Sequence, residues 1–134
     1  MKTVLLFGTF DGLHPGHEAM LRDAWRHGDK IVVALAPDEV VKRLKGRAPD
    51  KSFDERFNIL DASGLVDEIV PSDNAEGAYA VLARVKPDVV AFGYDQVELK
   101  ADFESFLKKS KKKIPTVTLA AFEPERYKSS LLNQ

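Results

Sequence analysis

The sequence predicts an α/β protein: a doubly wound sheet of five parallel strands with helices on both faces. Three observations lead there. Five short apolar stretches alternate with amphipathic ones. Two of the stretches, Ile31–Ala36 and Val89–Phe92, are apolar at nearly every position, as strands are when helices cover both faces of their sheet. Glycine or proline stands where the intervening helices should stop.

The strands are read at Val4–Phe7, Ile31–Ala36, Glu68–Val70, Val89–Phe92 and Val117–Ala121, each rich in β-branched or aromatic residues. Helices are read at Gly16–His27, Asp38–Leu44, Asp54–Ser63, Ala75–Val85 and Ala101–Lys109, where apolar residues recur every three to four positions, as in Ala78, Val81 and Leu82. Gly28 follows His27 and Gly64 follows Ser63, at positions where helix C-terminal glycines are common, and Pro87 follows Lys86 where a helix must have ended. The order β-α-β-α-α-β-α-β-α-β implies right-handed crossovers and a Rossmann-like sheet. Ligands of such sheets bind beyond the C-terminal ends of the strands.

The 134 residues suit one domain, 1–134, with no linker or internal repeat. Hydrophobic residues at 44% and charged residues at 31% exclude a disordered or fibrous chain. A net charge of −1 provides no global field to draw the protein onto nucleic acid, so no nucleic-acid partner is expected. The one basic run, Lys108, Lys109, Lys111, Lys112 and Lys113, reads as a solvated helix end whose cations complement the helix dipole. No run is long and apolar enough to cross a membrane, and the first residues lead straight into a motif, so neither a membrane partner nor a cleaved signal is expected. With no cysteine there is no disulfide framework and no thiolate metal site, and a cytoplasmic location is expected.

That motif is Gly8-Thr9-Phe10-Asp11-Gly12-Leu13-His14-Pro15-Gly16-His17, at the junction of the first strand and first helix. A helix N-terminus presents unpaired N–H groups and a positive dipole end to an anion. His14 and His17, three residues apart, place two imidazoles on one pocket, and Gly16 leaves room for a phosphate beside the backbone. Fixed donors there would stabilise the charge that spreads over a phosphate and its leaving group during attack. With 3 histidines and 8 glycines, shuffling yields His-x-Gly-His about 0.004 times per chain, so chance is a poor explanation. A turn-and-cap role for the two histidines, or metal ligation by them, is the competing interpretation. Neither a G-x-G-x-x-G turn after a strand nor a P-loop is present, since Gly46-Arg47-Ala48-Pro49-Asp50-Lys51-Ser52 lacks the glycine before its lysine.

The strand end followed by H-x-G-H resembles the cytidylyltransferase-like nucleotidyltransferases, and within them the archaeal-type FAD synthases and the glycerol-3-phosphate cytidylyltransferases. The resemblance extends to Val41-Lys42-Arg43-Leu44-Lys45-Gly46-Arg47, to Gly93-Tyr94-Asp95-Gln96 and to Lys128-Ser129-Ser130. It implies transfer of a nucleoside monophosphate from ATP or CTP to a phosphorylated small molecule, with pyrophosphate released and Mg2+ carried in by the triphosphate. His14, His17 and Lys45 would be catalytic. Gly8, Thr9, Phe10, Asp11, Gly16, Gly93 and Asp95 would bind nucleotide, with Ser129 and Ser130 on the outer phosphates. Lys42, Arg56 and Arg126 would hold the acceptor, its phosphate or the loop beside it.

The Gly-x-Asp-Gln segment favours AMP transfer to FMN. CTP with glycerol 3-phosphate is the alternative, and a noncatalytic nucleotide-binding module the second. Two departures bear on the last: Glu123-Pro124-Glu125-Arg126-Tyr127-Lys128 replaces the Arg-Thr-Glu stretch of the cytidylyltransferases, and Gln134 leaves room for a short final helix. A homodimer is a further expectation of the resemblance.

Overall fold

The structure, a computed structural model, describes residues 2–73 and 79–119. Its elements are β1 (Thr3–Gly8), α1 (Pro15–Ala24), β2 (Lys30–Leu35), α2 (Asp38–Lys45), α3 (Phe53–Ala62), β3 (Glu68–Pro71), α4 (Val81–Val85), β4 (Val89–Phe92), α5 (Val97–Lys109) and β5 (Thr116–Thr118). The strands form one sheet in the order β3-β2-β1-β4-β5, every neighbouring pair parallel. The predicted fold class is the observed one.

Alternation along β1 builds two cores. Val4 and Leu6 point to one face and pack with Leu21 and Ala24 of α1 and Leu60 of α3. Leu5 and Phe7 point to the other and pack with Val81 and Leu82 of α4 and Phe103 and Leu107 of α5. Because β1, β2 and β4 are covered on both sides, their near-continuous apolar runs are what a buried parallel strand requires. Phe7, Phe92 and Phe103 meet at centroid distances of 5.6 to 6.2 Å, in the range of favourable ring pairs.

The boundaries differ from the sequence reading for local reasons. α1 ends at Ala24 because the amides of Trp25, Arg26 and His27 turn to carbonyls three residues back, tightening the last turn. α5 starts one turn early, at Val97, whose 70% exposure leaves no buried residue to mark that turn in the apolar spacing. Of the helix read over 75–85 the structure describes Val81–Val85, and the strand read to Ala121 is seen as Thr116–Thr118, with 120 and 121 outside the described residues. The lysines at 108 and 109 close the last turn of α5 and are exposed, as are 111 to 113. Among the described residues no helix is long and apolar enough to cross a membrane.

Gly64 has the left-handed φ of +73° expected after a helix, but Gly28 does not serve that purpose. A Cβ on Gly28 would lie 2.6 Å from the Lys2 carbonyl oxygen and 2.6 Å from Val4 Cγ2, so this glycine lets the chain entering β2 press against the start of β1. Gly28→Ala is expected to lower stability by about 1–3 kcal/mol through overpacking, whereas exposed Arg26→Ala shifts it by about 0.5 kcal/mol or less. Urea denaturation of the two variants checks the contrast.

Candidate functional site

The crossover from β1 places β2 on one side of it, and the later crossover from β3 places β4 on the other. The sheet's switch point therefore lies between the C-terminal ends of β1 and β4, where a crevice opens. Gln96 joins those two ends: its Oε1 accepts from the Gly93 amide at 2.8 Å and its Nε2 donates to the Phe7 carbonyl at 2.9 Å.

From Gly8 the chain turns sharply, with φ of +48° at Phe10 and +115° at Gly12. Positive φ is uncommon for a phenylalanine, and packing holds it there. The buried Phe10 ring occupies the space where a Cβ on Gly8 would stand, 2.5 Å away, and its edge meets the His17 ring at 5.4 Å. Gly8 and Phe10 thus shape the loop from below.

His14 caps α1. Its Nδ1 accepts from the amides of Gly16 at 3.0 Å and His17 at 3.3 Å, while the Glu18 amide donates to the His14 carbonyl. Pro15 has no N–H, so the first-turn amides are already engaged. The His14 ring thus takes the Gly16 and His17 amides that a bare helix end would offer to an anion. Accepting at Nδ1 puts the neutral ring's proton on Nε2, so His14 offers a donor through that atom.

His17 stacks on His14 with centroids 3.7 Å apart and planes 20° from parallel. Its Nδ1 lies 3.1 Å from the Gly12 carbonyl, which can only accept, so Nδ1 carries hydrogen and Nε2 of the neutral ring carries a lone pair. Burial first, then the His14 beside it, pushes the His17 pKa down to about 4; the Gly12 bond and the charge of Asp95 oppose the fall, and Lys45 adds to it. Lys45, at the end of α2, and Asp95, after β4, are therefore both within the field of this imidazole. Lys42 stands exposed one turn before Lys45. Gly93 is buried, and a Cβ there would come within 3.0 Å of Met20 Sδ and 3.1 Å of Asp95 Oδ1.

Asp11 and Arg56 form a brace. The Asp11 carboxylate accepts from the amides of Asp50 at 2.7 Å and Lys51 at 2.8 Å. Desolvation would raise its pKa, but those two bonds and the charges of Arg56 and Lys51 hold it below the ordinary carboxylate value. Arg56 is wholly buried; it donates to the carbonyls of Lys51 and Thr9 and to Asp38 Oδ1 at 2.8 to 3.1 Å, with Phe53 beneath it. Expected to hold either the acceptor or the loop, Arg56 holds the loop, and its burial removes it from contact with an acceptor.

The structure thus gathers His14, His17, Phe10, Lys45 and Asp95 at one strand end. Arg126, Ser129 and Ser130 lie outside the described residues. Sequence reasoning quoted Gln96 and gave it no role, because its partner Phe7 lies 89 positions away.

A family model described as cytidylyltransferase-like matches residues 5–134. The chain is 40% identical over 93 residues to FAD synthase of Pyrococcus horikoshii and, to the same extent, of Pyrococcus abyssi. Each match covers 69% of this chain and 63% of the relative, so it spans somewhat under two thirds of the relatives' length. Among solved structures, the lipopolysaccharide core biosynthesis protein of Thermoplasma volcanium matches at a TM-score of 0.82 and 28% identity, covering 92% of this chain and 99% of that one. Pantothenate synthetase of Thermus thermophilus, at 16% identity and a TM-score of 0.61, covers 89% of this chain and 55% of its own, and shares the fold.

Two outcomes follow from the geometry. In the ligand-free protein, NMR should find the His17 imidazole titrating near 4, against about 6.5 for an ordinary histidine. Between those values the folded state binds fewer protons than the unfolded chain, so this contribution to stability is present above about 6.5 and is lost as pH falls toward 4. His17→Gln should flatten that part of the profile in urea titrations across the window. Separately, Arg56→Met should cost about 1–3 kcal/mol for each carbonyl left without its donor, while half-exposed Asp38 turns to water. Arg56→Lys should recover less than half of it, for want of the planar fork; a loss under about 1 kcal/mol would mean the guanidinium is no brace.

Proposed function

The chain belongs to the cytidylyltransferase-like family, and on that footing we propose that it transfers AMP from ATP to FMN with release of pyrophosphate. The stacked histidine pair at the switch point carries this reading, with Lys45 and Asp95 in its field. The likeness to two proteins named FAD synthase supports the choice of substrates.

A phosphate oxygen of the acceptor attacks the α-phosphorus in line. The new P–O bond forms as the bond from the α-phosphorus to its bridging oxygen breaks, and the electron pair leaves with pyrophosphate. Magnesium arrives as part of the triphosphate substrate. His14 donates through Nε2 to the oxygens that gain charge.

His17 begins neutral, and the triphosphate's charge raises its pKa, so a proton arrives with the nucleotide and turns Nε2 from acceptor to donor. Lys45 and Lys42 offset phosphate charge. Asp95 takes the ribose or base beside Gly93, whose lack of a Cβ lets the Asp95 carboxylate and Met20 close in. Ser129, Ser130 and Arg126 would attend the outer phosphates or the acceptor. Gly8, Thr9, Phe10, Asp11 and Gly16 keep the loop in shape.

The test crosses ATP and CTP against FMN and glycerol 3-phosphate and reads pyrophosphate. Release with ATP and FMN alone is expected; release with CTP and glycerol 3-phosphate would transfer the chain to the other reading, and nucleotide binding without release would make it a noncatalytic module. Loss of one charge-stabilising donor costs on the order of 3–4 kcal/mol of barrier, so His17→Ala should slow turnover roughly a hundredfold to a thousandfold. Its circular dichroism should be unchanged.

A further inference from the structure

A cavity of about 490 Å³ opens beside Gly8 and Thr9 on the α4–α5 side of the sheet end, whereas the residues beneath the histidines, Phe10 and Met20, pack on the α1–α3 side. We propose that this cavity is the subsite for a planar, uncharged aromatic ring on the acceptor, the isoalloxazine if the acceptor is FMN. The inference rests on the transfer reaction proposed above, and it assigns the ring a place and a set of contacts.

Three observations support it. The walls are apolar: Phe7 from β1, Ala34 and Ala36 at the end of β2, Val40 and Leu44 from α2 and Leu99 from α5. Leu44 is 64% exposed, a large side chain in water at the mouth of an apolar recess, and a ring lodged there would cover it. The volume falls within the roughly 300–1,000 Å³ of pockets that enclose ligands of flavin size. Glycerol 3-phosphate has no group that would fill such walls.

The charges around the cavity indicate which substrate enters. Among the described lining residues Asp73, Glu98 and Asp102 contribute carboxylates and Arg43 a guanidinium, and Asp73 also lies 4.0 Å from Arg84 Nη2. Tyr79 donates to Asp102 at 2.5 Å, which holds that carboxylate at the wall. Negative charge here disfavours a triphosphate, which is repelled toward the histidine side, while an uncharged ring suffers no such repulsion. Thr9 borders both regions, so a ring in the cavity, joined to its phosphate by a flexible chain, has that phosphate directed past Thr9 toward the α-phosphorus.

Riboflavin, which has the ring and no phosphate, is the probe. Its fluorescence should be quenched on titration with the wild-type chain. Leu44→Ser should weaken that binding and raise KM for FMN on the order of tenfold, while the affinity for magnesium–ATP and the melting temperature stay unchanged. Ala36→Leu, which fills the recess, should likewise weaken riboflavin binding and raise KM for FMN. If the wild type forms FAD and neither variant alters riboflavin binding or KM for FMN, the subsite is overturned and the reaction stands. If the wild type forms no FAD, the reaction proposed above fails; riboflavin binding that still depends on Leu44 would keep the cavity a ring site, and its absence would remove both.

Discussion

The site is organised by a bond made at an imidazole. His14 Nδ1 accepts two amides at the start of α1, and from that one contact several properties follow. The helix is capped without a serine or aspartate. The ring is locked in orientation and tautomer, with its proton on Nε2. The backbone donors that a bare helix end would present to an anion are replaced by a side-chain donor that stands further out. His17, stacked on that ring, is held at a pKa of about 4, first by its burial and then by the neighbouring His14.

This arrangement needs a stiff foundation, since the loop carrying it holds a phenylalanine at positive φ. Buried Arg56 fastens the Thr9 carbonyl to the start of α2 and to the segment before α3, and Asp11 closes the same ring of contacts from the other side. Removing the carboxylate partner of Arg56 leaves a wholly buried charge without its counter-ion, which costs more than the pair contributes when intact. The geometry at the histidines is thus set by contacts made away from the imidazoles themselves.

The fold was legible because its signal is local. Near-continuous apolar strands, three-to-four spacing in helices and terminal glycines each report on their own segment, and together they specify a buried parallel sheet. The histidine pair was legible for the same reason, lying three residues apart at a strand–helix junction. What escaped was contact between distant segments. Gln96 bonds across 89 positions to β1, Asp11 reaches residues 39 and 40 positions away, and Gly28 matters for a clash with Lys2 that no pattern announces. Arg56 was expected to hold the acceptor, its phosphate or the loop, and only the assembled fold, by removing it from water, selects the loop.

The end of β1 also separates two kinds of surface. On the α1 side stand imidazoles, a lysine and exposed Asp95; on the α5 side lie apolar walls edged with carboxylates. The split is a consequence of strand geometry: successive residues of β1 face opposite sides, so a chain leaving the strand at Gly8 and Thr9 must border both. The proposed reaction between two phosphates, one attached to a base and one to a ring, has complementary needs. Its charged centres must meet at one point while their remaining parts are kept apart, and the central strand of a doubly wound sheet supplies both that meeting point and the partition.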